Sequence, residues 1–301
     1  MSPNPPIIMT ADTLELGLSP YVGGSISWFD WIGGNHRVPV LRKCNSSPEN
    51  VRDAASFPLV SYVNRVRGGH FSFRGRTITL APNMAGDVSP LHGQGWLAAW
   101  QVESVGRSDA VISFEHRADD WPWDYRAEQH FALDDGGLSL ILTCRSLSRE
   151  PMPCGLGQHP YFNCGPDTRI DTQVTDVWTI DEHVLPVERM PATGRFDLAD
   201  RLACGQGLDH GFGGWGGLAK MTDPAWPFDL QLSSPDAHFF QLYSPAAGGI
   251  FVAEPVTQAN AALNAPEQQW PELGMRVLAP DEEMRLAMRL DVIAKPSSRS
   301  G

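Results

Sequence analysis

No run of about 18 consecutive apolar residues, the length a helix needs to cross a bilayer, occurs in this chain. The segment Met1 to Pro20 has neither a basic region nor an unbroken apolar stretch of the kind that opens a secretory signal. Positive charge is scarce as well: 23 Lys and Arg against 35 Asp and Glu leave a formal net charge of -12. Such a surface repels phosphate polymers and anionic lipid, so neither a nucleic-acid nor a membrane partner is expected and a cytoplasmic protein is. Cysteines do not pair up in the sequence. Cys44, Cys144, Cys154, Cys164 and Cys204 are odd in number and widely spaced, without a C-x-x-C pair or a His-rich tract. That pattern suggests neither a disulfide framework nor a zinc site, and reduced thiols that partly fill the core are expected.

Long helical periodicity is missing too. The best short candidate is Pro48 to Ala55, with Ser47 as N-cap and Pro48 in the first helical position. There is no internal repeat, heptad, low-complexity tract or linker, and only the ends, Met1 to Pro6 and Pro296 to Gly301, look frayed. Residues 1–301 are therefore expected to form one domain.

What the chain does have is alternation with a period of two. Tyr125, Ala127, Gln129, Phe131 and Leu133 precede Asp134-Asp135-Gly136-Gly137, and Leu138, Leu140, Leu142 and Cys144 follow it, which predicts a β-hairpin. The pattern recurs at Phe71 and Phe73 with Ile78 and Leu80, at Trp96 to Val105 with Val111 to Phe114, and from Met284 to Val292. With 42% hydrophobic and 19% charged residues the composition is that of a globular protein, and 29 Gly and 25 Pro suit many turns. The fold class expected is all-β, a large antiparallel β-sandwich with few short helices.

Three polar clusters sit at loop-like places between strands. Leu91-His92-Gly93-Gln94 puts an imidazole in a turn, where a solvated or hydrogen-bonded structural histidine is the plain alternative to a functional one. In Gln158-His159-Pro160-Tyr161-Phe162-Asn163, Pro160 biases His159 toward extended backbone and the aromatics would partly desolvate its ring, tuning it for acid or base work. Glu254 ends an apolar run and precedes Pro255, which should stop a central ladder. A carboxylate there is costly unless exposed, paired in a structural ion pair, or functional.

Taken in order, these clusters resemble the aldose 1-epimerase (galactose mutarotase) family over nearly the whole chain. The likeness includes Gly23-Gly24-Ser25-Ile26, Val40-Leu41-Arg42, Phe57 to Val66 with Asn64-Arg65, Leu91-His92-Gly93, His159-Pro160-Tyr161-Phe162-Asn163, Asp209-His210-Gly211-Phe212, and Glu254-Pro255 followed by Asn264. Gln94 stands where many members have a second Gly, and Pro160 where many have a small polar residue, wording nearer a less characterised bacterial branch. The resemblance implies a galactose mutarotase-like supersandwich with a sugar cleft on one sheet. It implies Glu254 as catalytic base, His159 as acid to the ring oxygen and His92 as a second catalytic or supporting imidazole. It assigns Asn64, Arg65 and Asp209 to substrate binding.

Mutarotation removes a proton from the anomeric hydroxyl and delivers one to the ring oxygen, so a carboxylate and an imidazolium suffice and no cofactor or metal is implied. Arg65 and His92 are suited to steadying developing negative charge, and Asp209 to accepting sugar hydroxyls. Of the 10 Trp, Trp215 in Gly213-Gly214-Trp215-Gly216-Gly217 is the best candidate to stack on a pyranose, with Trp96, Trp121 and Trp123 behind it, although core packing is the commoner role. The spacings do not resemble H-E-x-x-H, and a glycosidase pairing of Asp209 with Glu254 would leave both imidazoles unexplained. The partner expected is a small-molecule sugar, met by a monomer or homodimer. Two rival readings stay open: a hexose-6-phosphate 1-epimerase with an added cationic pocket, and a non-catalytic carbohydrate-binding sandwich.

Overall fold

The computed structural model describes residues 5–33, 36–44 and 48–296. The expected hairpin forms as strands Tyr125–Asp134 and Gly137–Ser146, in register from Tyr125 opposite Ser146 to Asp134 opposite Gly137. Its turn is tied by Asp134, whose Oδ1 accepts the N–H groups of Gly136 and Gly137 at 2.8 and 3.1 Å. This hairpin belongs to a nine-stranded antiparallel sheet running from Arg201–Leu202 at one edge to Gln101–Val105 at the other. The alternating segment Glu283–Ala294 lies inside that sheet, between Gly137–Ser146 and Phe228–Ser233.

A second antiparallel sheet orders its strands Pro186–Pro191, Asp176–Ile180, Leu208–Gly213, Phe239–Ser244, Ile250–Val256, Gly157–Gln158 and Pro58–Leu59, with Tyr161–Asn163 also on Ile250–Val256. Alternation decides what each of its faces does. Phe212, Phe240, Leu242, Phe251 and Ala253 enter one continuous core with Phe131, Leu140 and Leu286 of the nine-stranded sheet. Burying each such Leu or Phe stabilises by about 1.5–3 kcal/mol before entropy is counted. The residues between them, Asp209, Gly211, Gln241, Tyr243 and Glu254, face the other way. A smaller apolar cluster that includes Phe57, Leu91, Trp96 and Val256 lies on that second side.

The expected Phe71–Ile78 hairpin forms as His70–Phe73 with Arg76–Thr79. Two local expectations are corrected. The strand expected from Trp96 begins only at Gln101, because Gly95–Leu97 is a 3-10 turn that buries Trp96 and lets its Nε1 donate to Leu91 O at 3.1 Å. The helix expected over Pro48 to Ala55 is a 3-10 turn, Val51–Asp53, capped by Asn50, whose Oδ1 accepts the Arg52 N–H at 2.9 Å. Ser47, and most of the two ends, lie outside the described residues. All helices among the described residues are such short 3-10 turns, and none is long and apolar enough to cross a membrane.

Candidate active site

The side chains of the outward face converge because the sheet register lines them up. Gly211 is opposite Gln241, and Gln241 is opposite Glu254. On the next strand Gly157 pairs with Val256 and Tyr161 with Val252, a register that sets His159 opposite Glu254. Gly157 also pairs with Leu59 and Gln158 with Pro58, which brings Phe57 beside His159. The His159 N–H donates to Phe57 O at 3.0 Å, and the two rings stack with centroids 4.5 Å apart. One transverse row thus reads Gly211, Gln241, Glu254, His159, Phe57.

Pairing between the His159 and Glu254 strands breaks over residues 158–160, where Pro160 and Pro255 cannot donate to a ladder. Here the sequence reading needs a correction: Pro255 does not end the strand. Ile250–Val256 runs through it, and Pro255 still pairs with Phe240 on its other side. Its missing N–H is tolerated because the ladder on the His159 side is already open. Across that opening His159 Nε2 approaches Glu254 Oε1 to 3.4 Å.

His92 reaches the same place from a turn. Its φ is 60° and that of Asn64 is 59°, both left-handed, and the adjacent Gly93 has φ 69°. A Cβ on Gly93 would lie 2.1 Å from Val60 O, so only glycine lets the turn lie against that strand. His92 and His159 meet edge to face with ring centroids 5.7 Å apart. Gln94, the departure from the family pattern, is used structurally: its Oε1 accepts the Tyr125 hydroxyl at 3.0 Å.

Arg65 is held by Asp87, whose Oδ2 accepts its Nε–H at 2.8 Å, and its Nη1 donates to Asn64 Oδ1 at 3.3 Å. Asp209 Oδ1 accepts Gln241 Nε2 at 2.8 Å. Together Glu254, His159, His92, Asn64, Arg65 and Asp209 line one cavity of about 280 Å³. Gln241, Tyr161 and Tyr243 line it as well. Gln241 was not singled out from the sequence, although its place between Phe240 and Leu242 was the available signal.

Burial dominates the electrostatics. It pushes Glu254, 2% exposed, well above the usual carboxylate range, with Asp209 adding to the shift and Arg65 opposing it. It pulls His159 down to about 3. Both directions favour a pair carrying its proton on Glu254 beside a neutral imidazole. Burial also raises Asp209, against Arg65 and the Gln241 hydrogen bond, and lowers His92, helped by His159 and Arg65. Glu254 Oε2 and His159 Nδ1 are buried without a hydrogen-bond partner among the described residues. Left unsatisfied, such atoms cost free energy, which a polar ligand would recover.

Trp215 is not brought to the cavity. It is only 4% exposed, stacks on Phe240 at 5.0 Å and donates its Nε1–H to Thr172 Oγ1 at 2.7 Å. Trp121 and Trp123 lie in the same core, and of the tryptophans considered Trp96 alone lines the cavity. Among the described residues no group of three or more His, Cys, Asp or Glu is arranged to hold a metal ion.

Two imidazoles and a buried carboxylate thus share one cleft on the outward face of a β-sandwich. The chain belongs to the aldose 1-epimerase family, whose profile matches residues 19–291. It is 33% identical over 291 residues to the uncharacterised Escherichia coli protein YphB, covering 93% of this chain and 96% of that one. It is 31% identical over 156 residues to the Escherichia coli aldose 1-epimerase, 48% of this chain and 42% of that one. A solved Escherichia coli structure with a provisional aldose 1-epimerase designation superposes with TM-score 0.86 at 30% identity, over 96% of this chain and 99% of the other. A galactose mutarotase-like protein from Clostridium acetobutylicum shares the fold, with TM-score 0.83 at 18% identity and coverage of 96% and 95%. The fold is thus the galactose mutarotase-like sandwich that the sequence led us to expect.

Proposed function

We propose that this protein is a mutarotase that interconverts the α and β anomers of a free aldose by opening and reclosing its ring, with residues 1–301 acting as one cytoplasmic unit. The observation that carries this reading is the opposition of His159 and Glu254 at 3.4 Å. The anomeric hydroxyl and the ring oxygen are bonded to the same carbon. An acid and a base serving both must therefore lie side by side, and the shared register of His159 and Glu254 supports giving them these roles.

In this reading Glu254 accepts the proton of the anomeric hydroxyl while His159 gives one to the ring oxygen, and the C1–O5 bond breaks to an aldehyde. The pair needs a single proton for this, and moving that proton from Glu254 to His159 sets the acid and base in their working forms. After rotation about C1–C2 the same groups run in reverse on the other carbonyl face. His92 and Arg65 donate to the oxygens as negative charge gathers on them. Asn64, Asp209 and Gln241 fix the remaining hydroxyls. Tyr161, its hydroxyl pushed up to about 12 mainly by burial, stays neutral in the wall.

Polarimetry on freshly dissolved α-D-glucose and α-D-galactose tests the proposal. The protein should accelerate the approach to anomeric equilibrium in proportion to its concentration. A protein that binds these sugars but leaves the spontaneous rate unchanged is a carbohydrate-binding sandwich instead.

A further inference from the structure

Backbone strain gathers around the cavity. Eight non-glycine residues among those described have positive φ; two of them, Asn64 and His92, line the cavity, and two more, Val184 and Ala261, are respectively bonded to and next in sequence to Asn260. Val184 is β-branched, the kind of residue that avoids φ 60° most strongly. Such conformations persist only where neighbours over-determine them.

The neighbour here is Asn260. Its Oδ1 accepts the backbone N–H of Arg65 at 3.1 Å, and its Nδ2 donates to Val184 O at 2.9 Å. Val184 lies in the turn joining strands Asp176–Ile180 and Pro186–Pro191. Arg67 fastens the same turn, donating to Pro186 O at 2.7 Å and to Asp181 Oδ2 at 3.4 Å. Behind it Asn264 accepts the Arg67 N–H at 2.7 Å and donates to His70 O at 2.9 Å. The segment Asn64–Arg67 is therefore gripped between a 3-10 turn on one side and a hairpin turn on the other, and Asn260 bonds to both the segment and the hairpin turn.

We infer that Asn260 is a positioning residue for substrate binding: it fixes the Arg65 backbone, and through it the Asn64 and Arg65 side chains in the cavity, while tying down the Asp181–Pro186 turn. This rests on the mutarotase reading for its effect on turnover but not for its effect on Arg65. Asn260 does not line the cavity, so it acts only through what it holds.

Two variants separate its two hydrogen bonds. Asn260→Ala removes both, whereas Asn260→Asp keeps an acceptor for the Arg65 N–H and loses the donor to Val184 O. By polarimetry with α-D-glucose, Asn260→Ala should raise KM about threefold to tenfold and, because Arg65 also steadies the developing charge, lower kcat by a similar factor, whereas Asn260→Asp should keep both near the parent values. Amide hydrogen exchange should show Arg65 N–H losing protection in the alanine variant and keeping it in the aspartate variant. A purely structural role predicts a lower Tm in both variants with KM unchanged in the folded fraction, and that result overturns the inference. If the parent protein leaves glucose mutarotation at its spontaneous rate, the function falls, and the exchange experiment still decides about Asn260: protection of Arg65 unchanged in Asn260→Ala refutes it.

Discussion

Asn64 and His92 hold each other through two reciprocal hydrogen bonds: the Asn64 N–H donates to His92 Nδ1 at 3.1 Å, and the His92 N–H donates to Asn64 O at 3.0 Å. Because Nδ1 is an acceptor, the ring proton of neutral His92 is on Nε2. Burial, His159 and Arg65 drive the pKa of His92 well below the ordinary value, which favours the neutral ring and, in the mutarotase reading, a role as a fixed donor. Asparagine tolerates a left-handed backbone, so His92→Asn should fold. It should lower kcat/KM by about 10-fold to 100-fold, the loss of one placed donor, while leaving the shape of the pH–rate profile intact. A polarimetric pH series on parent and variant checks this, and a limb of the profile that vanishes with His92 would make it the titrating acid instead.

The His159–Glu254 pair should behave as one unit. Glu254→Gln keeps shape but removes the basic lone pair, and His159→Asn removes the acid, so each should cost roughly 10²-fold to 10⁴-fold in kcat. Sugar binding should change far less. The double variant should be barely slower than either single one, because half of a concerted relay has little left to lose. A Glu254→Gln protein that folds and turns over near normally would sink the mechanism; if Glu254 were only a structural partner, Tm would fall and turnover per folded molecule would hold.

Long alternating strands were legible in the sequence because ten residues of period two leave few other readings, as in Tyr125–Asp134 and Gly137–Ser146. The row through the site was not. Two of its strands, Gly157–Gln158 and Pro58–Leu59, are two residues long and carry no alternation to read. Pro255 pointed the wrong way, since the rule that proline ends a ladder assumes an intact neighbour and here residues 158–160 have already opened it. Trp215 pointed the wrong way as well: its setting among glycines suggested a ring free to stack on a sugar, yet Gly214 and Gly217 have positive φ values of 61° and 77° and the ring stacks on Phe240 instead. The catalytic candidates were visible mainly as local wording shared with a family; what brings them together is register, which no local wording contains.

Histidine burial makes stability depend on acid. His159 has its pKa lowered to about 3 by burial and His210 to about 4, chiefly by burial with Arg195 adding. The unfolded chain takes up protons at these groups below about pH 6.5, while the folded chain resists until pH 3–4. More protons bound to the unfolded state means that stability falls as pH drops through that window. Thermal melts should show Tm declining from pH 6.5 toward 4, and His159→Asn should make the decline shallower. Glu254 and Asp209, whose folded pKa values burial raises, oppose this trend by adding stability toward acid, so the decisive comparison is parent against variant: a His159→Asn slope identical to the parent's contradicts the buried neutral state.

The cavity should not favour a sugar phosphate. Arg52 and Arg65 are the only cationic side chains among the described residues lining it, and Arg65 is already paired with Asp87. Phosphate recognition normally recruits several donors of that kind. Isothermal titration should therefore find glucose 6-phosphate bound no more tightly than glucose, and a clear preference for the phosphate would move the assignment to a phosphohexose epimerase.

Gly211 offers the sharpest test of the register argument, because stability and function should move in opposite directions there. It lies within strand Leu208–Gly213 without a positive φ, where glycine is about 0.5–1 kcal/mol worse than alanine on entropic grounds. A Cβ added at Gly211 would sit 3.2 Å from Gln241 Oε1, tighter than ordinary contact and against the free end of a side chain that can move. Gly211→Ala should leave Tm unchanged or slightly higher, yet push Gln241 off its 2.8 Å bond to Asp209 and raise KM about threefold to tenfold. If the effect runs through Gln241, the substitution should add almost nothing to Gln241→Ala, since the group it displaces is already gone. Two KM increases that multiply in the double variant would mean that Gly211 acts by another route, and a Gly211→Ala protein with parent KM would show that the row from Gly211 to Phe57 does not govern how the sugar is held.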